Sequence, residues 1–255
     1  MIKSSVLILF ILLSISCFGQ SDNWYFSFSM GGSWPSNTFG QTNLNDNSSA
    51  YAQKGFSLLL DATYPMNDRW GFKGLVLINT NSIDNNSMEK MLINRLPAAI
   101  SNPVSDKFSF ATNPWMWNAF VGGPVYTINL GRLYWDLQLL AGLNLTYLPQ
   151  QKLLYNPFKD DPTNSQRWYY TDSNTTSTNL SWGVLAGTAF RFPLSERLNL
   201  KLGVDYYLSS ARVKYQQSRT SQQAESVKVD ILGSGSNLIP IKMITGTIGF
   251  VYYLN

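Results

Sequence analysis

The chain is 255 residues long, 44% hydrophobic and 14% aromatic, and its 13% of charged residues is about half the ~25% usual in soluble domains. It contains no histidine and one cysteine, Cys17, which excludes Ser-His and Cys-His catalysis, His-ligated zinc, CxxC redox chemistry and internal disulfides. Nineteen Lys and Arg against fifteen Asp and Glu leave a net charge of +4 with no basic block, so no nucleic-acid partner is expected.

Met1-Ile2-Lys3, an apolar run over 6–15 and the small residues of Ser16-Cys17-Phe18-Gly19-Gln20 predict a secretory signal peptide over 1–19. Cleavage after Gly19 leaves a domain over 20–255 and removes Cys17. The competing reading makes Cys17 a lipidated cysteine, but Leu13 stands one place too far upstream for a good lipobox. The apolar run is shorter than the ~20 residues a membrane helix needs, and no later run reaches that length, so a bilayer crossing must be made by strands.

Alternation with a period of two predicts eight strands, over 24–32, 54–64, 69–80, 115–128, 133–147, 180–192, 198–209 and 240–254. The clearest is 133–147. Leu133, Trp135, Leu137, Leu139, Ala141, Leu143, Leu145 and Tyr147 take one face, and Tyr134, Asp136, Gln138, Leu140, Gly142, Asn144 and Thr146 the other. Connections alternate in length. Tyr64-Pro65-Met66-Asn67-Asp68-Arg69-Trp70 and Phe192-Pro193-Leu194-Ser195-Glu196-Arg197-Leu198 repeat one pattern, and Asn129-Leu130-Gly131-Arg132 is equally short. Proline ends a ladder, and Asn, Ser or Gly makes the turn. The other four connections, 33–53, 81–114, 148–179 and 210–239, are long and polar.

Aromatics gather near both strand ends: Tyr64, Trp70, Tyr126, Trp135, Phe192 and Tyr252 on the turn side, and Trp34, Trp115, Trp117, Tyr147 and Trp182 on the loop side. Rings of this kind favour the membrane boundary. The predicted fold is all-β: an eight-stranded antiparallel up-and-down transmembrane β-barrel with four long extracellular loops. A soluble sandwich or lipocalin-like barrel would need more charge to coat eight strands than this chain has.

The Phe18-Gly19-Gln20 ending, the two Pro-apolar-polar-acid-Arg turns and the final segment Gly246-Thr247-Ile248-Gly249-Phe250-Val251-Tyr252-Tyr253-Leu254-Asn255 carry a resemblance of pattern. By it the chain resembles the small outer-membrane β-barrel proteins of the OmpA-transmembrane-domain and OmpX type, in the variant common in Bacteroidota. The resemblance implies the cell outer membrane, with its lipid as surroundings.

An eight-stranded barrel is filled by its own side chains. The inward lists gather Asp61, Lys73, Asp136, Arg191, Lys201 and Asp205, beside Asn118, Gln138 and Asn144. Six buried charges must pair. Asp61 and Lys73 lie symmetrically about Asn67, which predicts a cross-strand pair that the other four extend. The cluster reads as a plug fixing the strand register, or else as an ion path or binding site.

In the second long connection, Ser87 as cap and Glu89 in the first turn predict a short helix stopped by Pro97, with Met88, Met91, Leu92 and Leu96 on one face. That face meets neighbouring loops, or serves as a lid or partner contact. In the third, Gln166-Arg167-Trp168-Tyr169-Tyr170 offers Trp168 and Tyr169 for partner contact, or extends a strand above the membrane. Asp160, Asp161 and Asp172 match no defined cation loop, so neither a metal nor another cofactor is expected. Serine-based acyl chemistry needs a general base, usually histidine, and the chain has none; an Asp-based hydrolase is the alternative left open, and the chain is expected not to be an enzyme. The expected role is structural or interactive, with surface loops presented to extracellular material or a neighbouring membrane complex. The alternatives are a narrow channel or small-ligand carrier, and an accessory subunit of a secretion or assembly complex.

Overall fold

A computed structural model of the chain describes residues 24–43, 49–94, 108–149, 151–155, 167–174, 178–223 and 226–254. The strands are β1 (Tyr25–Pro35), β2 (Ala52–Pro65), β3 (Trp70–Ile83), β4 (Phe108–Thr112), β5 (Trp115–Asn129), β6 (Tyr134–Tyr147), β7 (Gln151–Tyr155), β8 (Arg167–Asn174), β9 (Thr178–Pro193), β10 (Leu198–Gln223) and β11 (Ser226–Tyr253). One helix, α1 (Asn85–Asn94), and a 3-10 turn over Asn37–Phe39 lie in the connections. Eight strands, in the order β11-β1-β2-β3-β5-β6-β9-β10, close into a ring through pairing of β10 with β11. All pairings are antiparallel, and both described ends of the chain sit on the short-turn side, where Leu254 N–H donates to the Trp24 carbonyl.

The predicted turns form as their residue types require. Met66 and Asn67 both donate their N–H to the Trp70 carbonyl, and Leu194 and Ser195 do the same to Leu198. Asn67 Oδ1 also accepts the N–H of Arg69 and of Trp70, at 3.0 and 2.8 Å, a side chain imitating a turn of backbone. Gly131 takes φ +82°, the left-handed region that glycine enters without steric cost.

Alternation holds around the ring. Between the hairpin turns and the loop-side rim, no charged side chain of the described strands has outward parity; outward positions carry Phe28, Leu60, Phe72, Phe120, Leu139, Val204 and Phe250. Leu139 is 57% exposed while its neighbour Leu140 is fully buried. From Trp24 to Trp34 the belt runs ten residues, about 25 Å tall at the usual ~40° tilt. A ring that leaves large apolar side chains on its outside and its charges inside is built for hydrocarbon, and the barrel is a transmembrane one.

Three expectations change. Trp115 and Trp117 leave the outer belt: Met116 has the outward parity on β5, and both tryptophans are buried inside. By the same parity Asn118 belongs to the outer face, in register with Ile78 and Leu145, and leaves the inward list. The fourth long loop does not exist as a loop, since β10 and β11 remain paired from Leu198 to Gln223 with one register shift at Gln217/Ser218. The third holds β7 and β8. Above the rim β8 takes the place of β9 beside β10, β7 pairs with β8, and β4 with β7, giving a five-stranded sheet β11-β10-β8-β7-β4 that continues the barrel wall. Val227, Val229 and Ile231 alternating with Lys228 and Asp230 had carried that signal in the sequence.

Candidate functional site

The barrel interior is stacked in layers. Nearest the turns, Arg191 grips Asp136 with two nitrogens, Nε to Oδ2 at 2.7 Å and Nη2 to Oδ1 at 2.9 Å. Its guanidinium carbon lies 4.7 Å from the centre of the Tyr25 ring and 5.0 Å from that of Tyr134, and Nη1 donates to the Tyr253 hydroxyl. Planar charge, bidentate pairing and two aromatic faces are what arginine supplies and lysine does not. Thr127 Oγ1 donates to Asp136 Oδ1 at 2.7 Å, completing the carboxylate's surroundings.

A second group carries the remaining charges. Lys201 Nζ lies 2.6 Å from Asp61 Oδ2, and Ser27 both accepts from Lys201 and donates to Asp61. Lys73, 1% exposed, stands 3.7 Å from Asp61 Oδ1 and donates to Gln138 Oε1 at 2.7 Å. Gln138 Nε2 then donates to Asp205 Oδ1 at 2.6 Å. One continuous chain, Lys201-Asp61-Lys73-Gln138-Asp205, thus neutralises two cations against two anions through an amide that acts as donor at one end and acceptor at the other.

All six expected charged residues lie inside, and Gln138 and Asn144 are buried with them. The expected direct opposition of Asp61 and Lys73 is corrected. In the β2–β3 register Lys73 faces Thr63 and Asp61 faces Leu75, so the turn is centred one residue beyond Asn67 and the pair is diagonal. The nearer cation to Asp61 is Lys201, from a strand on the far side of β1 and β11.

Above the charges the interior is mainly apolar, with Ser57 and Asn79 bonded to each other inside it. Leu59, Leu77, Leu140 and Leu185 are fully buried, and the Trp117 and Tyr207 rings stack with centres 4.4 Å apart. Asn81, Asn144, Thr146 and Ser33 follow, linked by bonds such as Asn81 Nδ2 to Ser33 Oγ at 2.9 Å. At the loop-side mouth Phe39, Tyr51, Ile83, Met88, Met91 and Trp115 join one buried cluster. Trp115 Nε1 donates to the Ala50 carbonyl at 2.9 Å, which fixes the first long connection over the opening.

Met88 and Met91 therefore face inward and close the mouth. A partner contact through these two side chains is not what their burial allows. The helix also begins earlier than expected. Asp84, not Ser87, caps it, with Oδ1 accepting the Ser87 N–H at 3.2 Å and Oδ2 its hydroxyl at 2.7 Å. Leu92 is within α1; Leu96 and Pro97 lie outside the described residues, as do the leader over 1–19, Asp160 and Asp161. Trp168 and Tyr169 belong to β8, in register with Ser221 and Thr220 of β10. Among the described residues no group of three or more Asp, Glu and Cys side chains is arranged to hold a metal.

On the turn side a vestibule of about 610 Å³ opens, with Arg191, Tyr25, Tyr134 and Asn199 at its floor and Met66 and Glu196 on its walls. Its one buried cation is already committed to Asp136, so the floor is neutral.

No protein-family model matches the chain, and no curated protein does. Among solved structures it is similar to Ail, the attachment invasion locus protein of Yersinia pestis, at 15% identity over 90% of this chain and 98% of that one, with a TM-score of 0.37. It is similar to the outer membrane protein OprG from Pseudomonas aeruginosa at 11% identity, 91% and 97% coverage and a TM-score of 0.41. The outer membrane protease OmpT from Escherichia coli matches at 7% identity, 92% and 97% coverage and a TM-score of 0.41.

Proposed function

We propose that the protein is an integral barrel of a bacterial outer membrane, delivered through a cleaved leader over 1–19, that serves as a non-catalytic anchor for a surface-displayed β-sheet. The observation carrying this reading is the five-stranded extension β11-β10-β8-β7-β4, which rises from the wall on the side opposite the short turns. Barrels of this class place short turns in the periplasm and long connections outside, so the extension stands at the cell surface. Strand pairing gives it a fixed shape that a polar loop would lack, and a fixed shape is what recognition of a protein or surface needs. Trp168 and Tyr169 on β8 are the residues we assign to that contact, because aromatic residues are enriched at contact hot spots.

The filled interior speaks against the channel reading, because paired charges, a leucine layer and a sealed mouth succeed one another along the axis. The test is co-purification in mild detergent, comparing the full chain with one in which 214–236 is replaced by a two-residue Asn-Gly turn. The expected result is a surface or envelope protein retained by the full chain and lost on shortening, with heat-modifiable gel mobility unchanged. Recovery of the barrel alone from both preparations contradicts the reading.

A further inference from the structure

The first outward charges above the apolar belt lie in one sector. They are Lys54 on β2, Lys242 on β11 and Arg212 on β10, brought together by the strand order β10-β11-β1-β2. Around the rest of the rim, β3, β5, β6 and β9 present Ser82, Met116, Tyr147 and Leu180. Among the described residues neither Lys54 nor Lys242 has a carboxylate within ion-pair distance.

Register sets the spacing. Gly55 pairs with Ser33, so Lys54 comes level with Trp34; Trp34 pairs with Ile244, two residues from Lys242. With strands about 4.8 Å apart and about 3.3 Å per residue, the two lysine Cα atoms are about 12 Å apart on one surface, near enough for both ammonium groups to reach one headgroup. Below them, on the membrane side, the Trp34 indole lies flat over two glycines. A Cβ at Gly32 would come within 2.9 Å of its Cη2, and one at Gly246 within 3.1 Å of its Cζ3. A groove of about 430 Å³, lined by Trp34, Pro35, Gly40, Lys54 and Ser82, opens beside the ring, while Phe56 and Ile244 continue the apolar belt below.

We propose that this sector binds the headgroup of a diphosphorylated glycolipid in the leaflet on the loop side, an inference that rests on the membrane reading above. Lys54 and Lys242 hold separate phosphates, Arg212 adds charge above them, and Trp34 packs where headgroup meets acyl chain. Two separated cations with an apolar platform on their membrane side fit a lipid bearing two phosphates better than a single free anion.

The test begins with insertion of the full chain into phosphatidylcholine vesicles, scored by flotation; failure to insert contradicts the membrane reading itself. Native mass spectrometry of the detergent-solubilised barrel then measures retention of diphosphoryl lipid A against phosphatidylcholine. Preferential retention of lipid A is expected, falling about tenfold or more in K54Q/K242Q, restored in K54R/K242R, and unchanged in the turn-side control R69Q/R197Q. The proposal is overturned by equal retention of the two lipids, by equal losses in both double Gln variants with native heat-modifiable mobility, or by full displacement with millimolar inorganic phosphate.

Discussion

Gly187 leaves the space into which the Asp205 carboxylate folds: the two are opposite in register, and a Cβ at 187 would overlap Oδ1. Gly183 does the same for the Tyr207 ring. Small residues on β9 thus decide which large inward side chains β10 can carry, and through them the bond from Gln138 that ends the charge chain. Asp61 is the centre of that chain, touched by two ammonium groups. In Asp61→Asn both cations lose their direct ion pair and only Asp205 is left to balance them, a loss of about 3–5 kcal/mol by the usual cost of breaking a buried pair. Asp205→Asn keeps a carbonyl that accepts from Gln138, so less than half that loss is expected. Urea unfolding in phosphatidylcholine vesicles, followed by tryptophan fluorescence, compares them; equal losses would contradict a network centred on Asp61. Of the charged site residues, identity and burial were legible in the sequence because a charge inside an alternating segment has only one low-energy face. Their partners were not, because Lys201 reaches Asp61 across the barrel and no local rule relates residues 140 positions apart.

At the scale of single elements, the hairpins and the wall make separate demands. Asn67 closes its turn with two bonds from its side-chain oxygen. Asn67→Ala removes both, and about 1–2 kcal/mol of stability is expected to go with them in the same unfolding assay. On β6, Leu139 faces outward at mid-belt, and Leu139→Arg is expected to cost about 2–4 kcal/mol in vesicles, as arginine does on a lipid-facing strand at the midplane. A soluble barrel would take the same change with little effect. Strands within the belt were readable because hydrocarbon on one side and a packed interior on the other enforce strict alternation. Above the rim the segment 215–223 is almost wholly polar and shows no alternation, so it read as loop, while the alternation over 227–231 on its partner strand was passed over. Trp115 and Trp117 were misplaced for a related reason. Aromatic type alone does not tell a belt residue from one that stacks inside, and the parity of Met116 decides it.

For the molecule as a whole, the proposed plug predicts that the barrel conducts nothing by itself. Purified protein in planar bilayers is expected to give no steady single-channel steps, and reproducible steps that respond to substitution of Lys201 or Asp205 would contradict the plug. The deeper claim is that the outside of the ring is wetted by hydrocarbon. Cys17 is the one native cysteine and lies in the expected leader, so the barrel domain accepts single cysteines cleanly. Nitroxide labels placed one at a time along 137–145 of β6 in lipid vesicles measure this directly through collision with oxygen and with a water-soluble nickel chelate. High oxygen access at 137, 139, 141, 143 and 145, low access to either reagent at the positions between, is the expected result; nickel access at the odd positions equal to that of a surface loop would show that water, not lipid, covers them.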